Sequence, residues 1–291
     1  MTVGTADIAN DSLFCWEQVA KTNRLFRVSH VFAPPMPAEK LLALYALFSV
    51  IEQACSVHSD EEIARAKLNW WRSECIHRDL THSHHPVLKE LVRTGAALDL
   101  DVQSMSGLLD QAEARLDEPG PAHAEDLKTR CQQLYQPQLE MEASICGIRK
   151  GELLWSPEWA ACSGLMQLIR ESSGENRSGS YRWLPLNMRA KHGVNRDDVL
   201  RKPRSEPVVE LFTEMMNIGI EWGAENSRQR EDQPAARPQL RHLYVISGLH
   251  LRKLKRMKSL SPDRHASELG RLGLGDLLAA WKTARRGAVR L

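Results

Sequence analysis

The sequence predicts an all-α protein, and three observations carry that expectation. Apolar residues recur at i, i+3, i+4 and i+7 along nearly the whole chain, the spacing that lines up one helix face. No stretch alternates apolar and polar residues long enough for a half-buried strand. Turn-forming residues are concentrated in a few places instead of being spread through the periodic segments.

Taken in order, Leu41, Leu44, Tyr45, Phe48, Ile51 and Cys55 mark the inner face of a first clear helix. Pro34, Pro35 and Pro37 lie ahead of it, where proline is tolerated because the first-turn N–H groups have no intrahelical acceptor. Ser59-Asp60-Glu61-Glu62 is a capping box that opens a helix running to about Cys75. Trp70 and Trp71 point to different faces of it, so one of them suffices for the core. His85-Pro86 starts the next, with Val87, Leu88, Leu91 and Val92 inside. Further helices are expected over 102–116, 123–147, 157–171, 207–226, 238–257 and 265–285. The connections are Glu118-Pro119-Gly120-Pro121, the Gly/Ser-rich 172–180, Pro203 to Pro207 and Asn226 to Pro238. None reads as a linker between independent cores, and no internal repeat is visible. The expectation is one domain over 1–291, of about eight to ten helices.

Composition excludes several classes. With 291 residues, 42% hydrophobic and 26% charged, the chain can bury a sizeable core. Leu41 to Ile51 is the longest apolar run and is far short of the roughly 20 residues of a membrane span. Residues 1–20 carry Asp7, Asp11 and Glu17 and no apolar segment of a secretory signal, so a cytoplasmic protein is expected. The six cysteines include no Cys-x-x-Cys and read as small buried thiols. His77, His82, His84 and His85 lack a carboxylate or thiolate companion and read as surface histidines before a helix start. Net charge is +2, but Ala236 to Leu291 holds thirteen Lys and Arg against Asp263, Glu268 and Asp276. Arg252 to Lys258 is the densest stretch, suited to an anionic membrane surface or an acidic protein partner. No aromatics are interleaved there, which excludes a single-strand nucleic-acid platform.

Several segments, in order, resemble the squalene/phytoene synthase family. Pro34 to Lys40 with Ala43 to Phe48 is similar to its first helix, and Ala64 to Glu74 to its Trp-Trp-Arg helix. His85-Pro86-Val87-Leu88 is similar to the helix that follows. Trp183-Leu184-Pro185-Leu186, His192-Gly193-Val194 and Asp197-Asp198-Val199-Leu200 resemble the segment after its second acidic motif. The resemblance is strongest over 13–228 and leaves 236–291 as basic C-terminal helices. It implies an isoprenoid-synthase-type bundle around a central apolar pocket, lined here from Phe26, Tyr45, Phe48 and Met166.

The family ionises prenyl diphosphates with Mg²⁺ held by two Asp-rich motifs. At the first motif this chain has Glu52 and Ser56, and at the second Glu171 and Glu175. Mg²⁺ demands near-octahedral oxygens at about 2.0–2.1 Å, and a glutamate displaces its carboxylate by about 1.5 Å relative to aspartate. Arg130 and Gln132 stand where the family shows Tyr-x-Tyr. Glu52, on the helix's inner face, also fits a partly solvated carboxylate beside a Lys or Arg, and Glu171 and Glu175 fit a loop edge. This pattern resembles the divergent branch that includes a mitochondrial complex I assembly factor. That implies a protein without turnover and without cofactor, binding an isoprenoid or lipid or assisting a partner protein. The alternative is an active Mg²⁺-dependent isoprenoid synthase or terpene cyclase with Glu52, Glu171 and Glu175 as ligands. A closed prenyl-lipid carrier is a third reading.

Overall fold

The structure is a computed structural model that describes residues 5–55, 61–117, 120–149, 157–172, 181–231 and 238–286. Side chains are described for 10–55, 61–116, 120–149, 157–170, 182–225 and 238–285. The described residues form fourteen α-helices, short 3₁₀ turns and no strand. Two compact units emerge: Met1–Asp117 with Pro137–Leu154 and Pro238–His242, and Glu118–Gln136 with Trp155–Arg237 and Leu243–Leu291.

The first unit begins with α1 (Thr5–Thr22), α2 (Arg24–His30) and α3 (Pro35–Ala54), the last opening on its prolines. Leu41 through Ser49 are buried without a break, so α3 is enclosed on every side instead of along one face. The reason is its neighbours: α1 and α5 (Pro86–Thr94) pack on α3 and on each other, and α4 (Glu61–Arg72) and α6 (Val102–Asp117) also meet it. At its start, the Lys40 ammonium lies 2.6 Å from the Asp99 carboxylate. At its centre, Ser49 donates to the Tyr45 carbonyl at 2.8 Å, so its buried hydroxyl is satisfied within the helix.

Ser59 and Asp60 of the expected capping box lie outside the described residues. α4 widens into a π turn over Ser73–His77, and Trp71 is buried while Trp70 is exposed. His85 caps α5 through its ring, Nδ1 accepting the Val87 N–H at 3.2 Å. Gly95 closes the helix at φ +75°, a conformation that suits a residue without Cβ. His77, His82 and His84 are exposed.

α7 (Ala124–Ile145) contributes Ala124–Gln136 to the second unit and its remainder to the first. The second unit continues with α8 (Pro157–Ser172), α9 (Leu186–His192), α10 (Arg196–Arg201) and α11 (Glu206–Glu231). α11 packs along α8, and α9 on α11. Gly164 on α8 is required: a Cβ there would lie 2.1 Å from the Cys131 carbonyl oxygen on α7. The core here gathers Leu165, Met166, Leu211, Phe212 and Met215.

α12 (Arg241–Met257) follows, and the helix expected over 265–285 is two helices, α13 (His265–Gly270) and α14 (Leu274–Arg286). The break at Arg271-Leu272-Gly273 is built around Lys253, which is fully buried. Its Nζ donates to the carbonyls of Glu268 at 2.9 Å and Arg271 at 2.5 Å, and to the Asp276 carboxylate at 3.4 Å. Arg252 reaches Asp276 at 2.8 Å, and Arg256 reaches Asp276 at 3.0 Å and Glu268 at 3.4 Å. Burial pushes the Asp276 carboxyl up, and the Gly273 N–H, Arg252 and the cations around it prevail and hold it below the usual range. Arg252, Lys253 and Arg256 therefore direct their charge onto Glu268 and Asp276 within the second unit. Among the cations from Arg252 to Lys258, only Lys255 and Lys258 are exposed.

All six cysteines are buried free thiols. No described helix is long and apolar enough to cross a membrane.

Candidate functional site

In the first unit, Phe26, Tyr45 and Phe48 come together because α2 lies against α3. The rings of Phe26 and Tyr45 sit 4.1 Å apart, and Tyr45 and Phe48 5.6 Å apart. Trp16 tilts onto Phe26 at 6.1 Å. His242, at the start of α12, is edge-on to Phe26 at 5.4 Å and to Tyr45 at 5.5 Å. Met166 lies in the second unit's core.

The nest contains a carboxylate. Tyr45 Oη donates to Glu142 Oε2 at 3.0 Å, and His242 Nε2 lies 3.7 Å from the same oxygen. Glu142 is 1% and His242 0% exposed. Glu142 Oε1 and both His242 nitrogens have no hydrogen-bond partner. A buried polar group without its bonds costs free energy, so this trio is the least satisfied part of the unit's interior. Beside it, the His30 imidazole is pushed down by burial and by His242, although its bond to the Ala38 carbonyl opposes this. Chemically the trio offers acceptor and donor atoms among aromatic faces, which favour an unsaturated chain or a cation.

Neither Glu142 nor His242 figures among the residues expected from sequence. A signal was present: Tyr135, Gln138, Glu142 and Ile145 share one stripe of α7, and a carboxylate on an otherwise inward-facing stripe calls for a partner.

Glu52 lies half-buried in the last turn of α3. Its surroundings are charged. The Cys55 thiol is pushed up mainly by burial, with Arg115 opposing and Glu52 and Glu113 adding to the rise. Arg72 bridges Asp110 at 2.7 Å and Glu113 at 3.0 Å, so the arginine of the Trp-Trp-Arg segment ties α4 to α6. Ser56 lies outside the described residues, as do Glu175 and the side chain of Glu171, whose backbone ends α8.

In the second unit, Arg130 is half-buried and Gln132 donates to the Pro157 carbonyl at 3.2 Å. Asp198 is engaged in a capping box with Asn195 at the start of α10. His192 and Lys191 both hold Glu214, at 2.7 and 2.8 Å. His250 is buried, 3.3 Å from the Ser163 hydroxyl, and burial reinforced by the Arg170 charge pushes its pKa down to about 3. Among the described residues, no three His, Cys, Asp or Glu side chains group as a metal site would require.

Comparison with known proteins gives the family and the fold. A family model described as squalene/phytoene synthase matches residues 19–269. A dehydrosqualene synthase crystal structure is similar at TM-score 0.72 and 13% identity, covering 96% of this chain and 97% of that one. The squalene synthase HpnC from Alicyclobacillus acidocaldarius is similar at TM-score 0.65 and 16% identity, covering 88% and 95%. At these identities the likeness concerns the fold. No curated protein sequence matches the chain.

Proposed function

We propose, for a chain that belongs to the squalene/phytoene synthase family, a non-catalytic role: it binds an isoprenoid or related lipid, or assists a partner protein, without prenyl transfer. The observation that carries this reading is the donor set at the two acidic positions, Glu52 with Ser56 and Glu171 with Glu175. Four short carboxylates have become three long ones and a hydroxyl. A Mg²⁺ cluster gripping a diphosphate needs rigid oxygens at closely set distances, and this set does not fit it.

What remains is a fold with an aromatic nest and a buried Tyr45–Glu142–His242 trio in its first unit. Aromatic faces suit a polyprenyl chain, and a buried polar trio suits one oriented polar end.

The test is incubation of the full chain with farnesyl diphosphate and Mg²⁺, following diphosphate release and extractable products, alongside melting temperature against farnesyl diphosphate and farnesol. The expected result is no release together with a saturable rise in melting temperature. Release that disappears in Glu52→Ala would establish the alternative, an active synthase or cyclase with glutamate ligands. Neither release nor shift would remove the lipid-binding half of the reading and leave the partner-assisting one.

A further inference from the structure

We propose that α14 is an interfacial helix that docks this protein, apolar side down, on an anionic membrane leaflet. Its residues fall on two stripes. Asp276, Ala280 and Ala284, spaced i, i+4 and i+8, face inward and are buried. Leu274, Leu277, Leu278 and Trp281, spaced i, i+3, i+4 and i+7, face outward and are 80, 49, 58 and 48% exposed. An ordinary surface helix turns its large apolar side chains to the core; this one turns its small ones inward and shows the large ones to solvent. Singly exposed leucines are unremarkable, but a contiguous stripe of four large apolar side chains marks an interaction surface.

The orientation is held by the charges beneath. Asp276 receives Arg252, Lys253 and Arg256, all from α12. Rolling α14 to bury its leucines would pull Asp276 away and leave a buried ammonium short of its counter-charge, a costly change. Gly275 belongs to the same device. A Cβ there would meet the Arg252 guanidinium at 2.6 Å, so glycine lets the arginine lie against the first turn.

Charge selects the occupant. Asp276 is the helix's one acidic residue and is buried, whereas Lys282 and Arg285 are exposed and Arg286 follows in sequence. The Arg285 guanidinium lies 4.7 Å over the Trp281 ring, a pairing of an amphipathic aromatic with a cation that belongs at headgroup depth. A second copy of this face would bring Lys282 and Arg285 no exposed acid from the helix to meet them. An anionic leaflet supplies both halves, an apolar boundary for the leucines and tryptophan and negative headgroups for the flanking cations.

The experiment is flotation of the full chain with vesicles of phosphatidylcholine alone and of equal parts phosphatidylcholine and phosphatidylglycerol. The expected result is binding to the anionic vesicles that weakens with added salt. Leu277→Gln with Leu278→Gln should cut the bound-to-free ratio by about tenfold or more. Lys282→Glu with Arg285→Glu should remove the preference for phosphatidylglycerol. All four side chains are exposed, so the melting temperature serves as the folding control, and the charge reversal reads independently if the leucine variant fails to fold. No binding by the unaltered chain, equal binding to both vesicles, or binding unchanged in both double variants would overturn the proposal. A dimer in the absence of vesicles that the leucine variant abolishes would also overturn it, in favour of a second copy.

Discussion

Two buried charge clusters, one in each unit, differ in how completely they are satisfied. In the second unit, Lys253 has two carbonyls and two carboxylates around its ammonium, and Asp276 has three cations and the Gly273 N–H. In the first unit, Glu142 shares one oxygen between Tyr45 and His242 while its other oxygen and both imidazole nitrogens lack hydrogen bonds. A saturated cluster fixes geometry: it sets the break between α13 and α14 and the roll of α14. An unsaturated one carries a cost that packing does not explain, and polar atoms left without partners suit a ligand better than the saturated shell around Lys253 does.

The contrast can be broken by substitution. Asp276→Ala removes the centre of the saturated cluster and leaves Lys253 buried against a single carboxylate. We expect a loss of about 3–5 kcal/mol in urea unfolding. Lys253→Met should cost clearly less, since Arg252 and Arg256 still face Asp276; an equal loss would refute the picture of Asp276 as the hub.

A second prediction concerns pH. His250 is buried neutral, with a pKa near 3 in the folded chain against 6.5 for an unperturbed histidine. The unfolded chain therefore binds a proton that the folded chain does not, anywhere between those values. Its contribution is constant above pH 6.5, falls by about 1.4 kcal/mol per pH unit down to about pH 3, and is flat below. Comparing denaturant unfolding across that range with His250→Gln should show a shallower slope in the variant by one proton.

The smallest effect is expected at the unsaturated cluster. Glu142→Gln keeps an acceptor for Tyr45 and replaces a carboxyl group whose second oxygen has no hydrogen bond. Stability should change by less than about 1 kcal/mol or rise. A loss comparable to that of Asp276→Ala would show that the first-unit trio is as structural as its counterpart.

Much of the fold was legible before any coordinates. The apolar spacing from Leu41 to Cys55 located α3, His85-Pro86 located the start of α5, and the run near 207–226 located most of α11. These depend on local chemistry, which periodicity reports directly. The break within 265–285 was not legible, because it depends on Lys253 reaching into the connection from α12. The ion pairs of Arg252, Lys253 and Arg256 were not legible for the same reason: their counter-charges, Glu268 and Asp276, are distant in sequence. Glu142 and His242 meet across a separation of one hundred residues, and neither carries a motif. For the candidate site, residue identity showed that both acidic positions depart from aspartate. It could not show that Arg72 spends its charge on Asp110 and Glu113.

The buried thiols have a practical consequence. Burial pushes the pKa of Cys15, Cys75, Cys146 and Cys162 up to about 12 and raises Cys55 and Cys131 as well. A thiol reacts as its thiolate, so an alkylating reagent should modify these side chains only as the surrounding helices open. Cys15, Cys55, Cys75 and Cys146 belong to the first unit, and Cys131 and Cys162 to the second. The native chain thus carries six chemical clocks, four in one half and two in the other. Mass-resolved labelling can time the breathing of each half without an added probe.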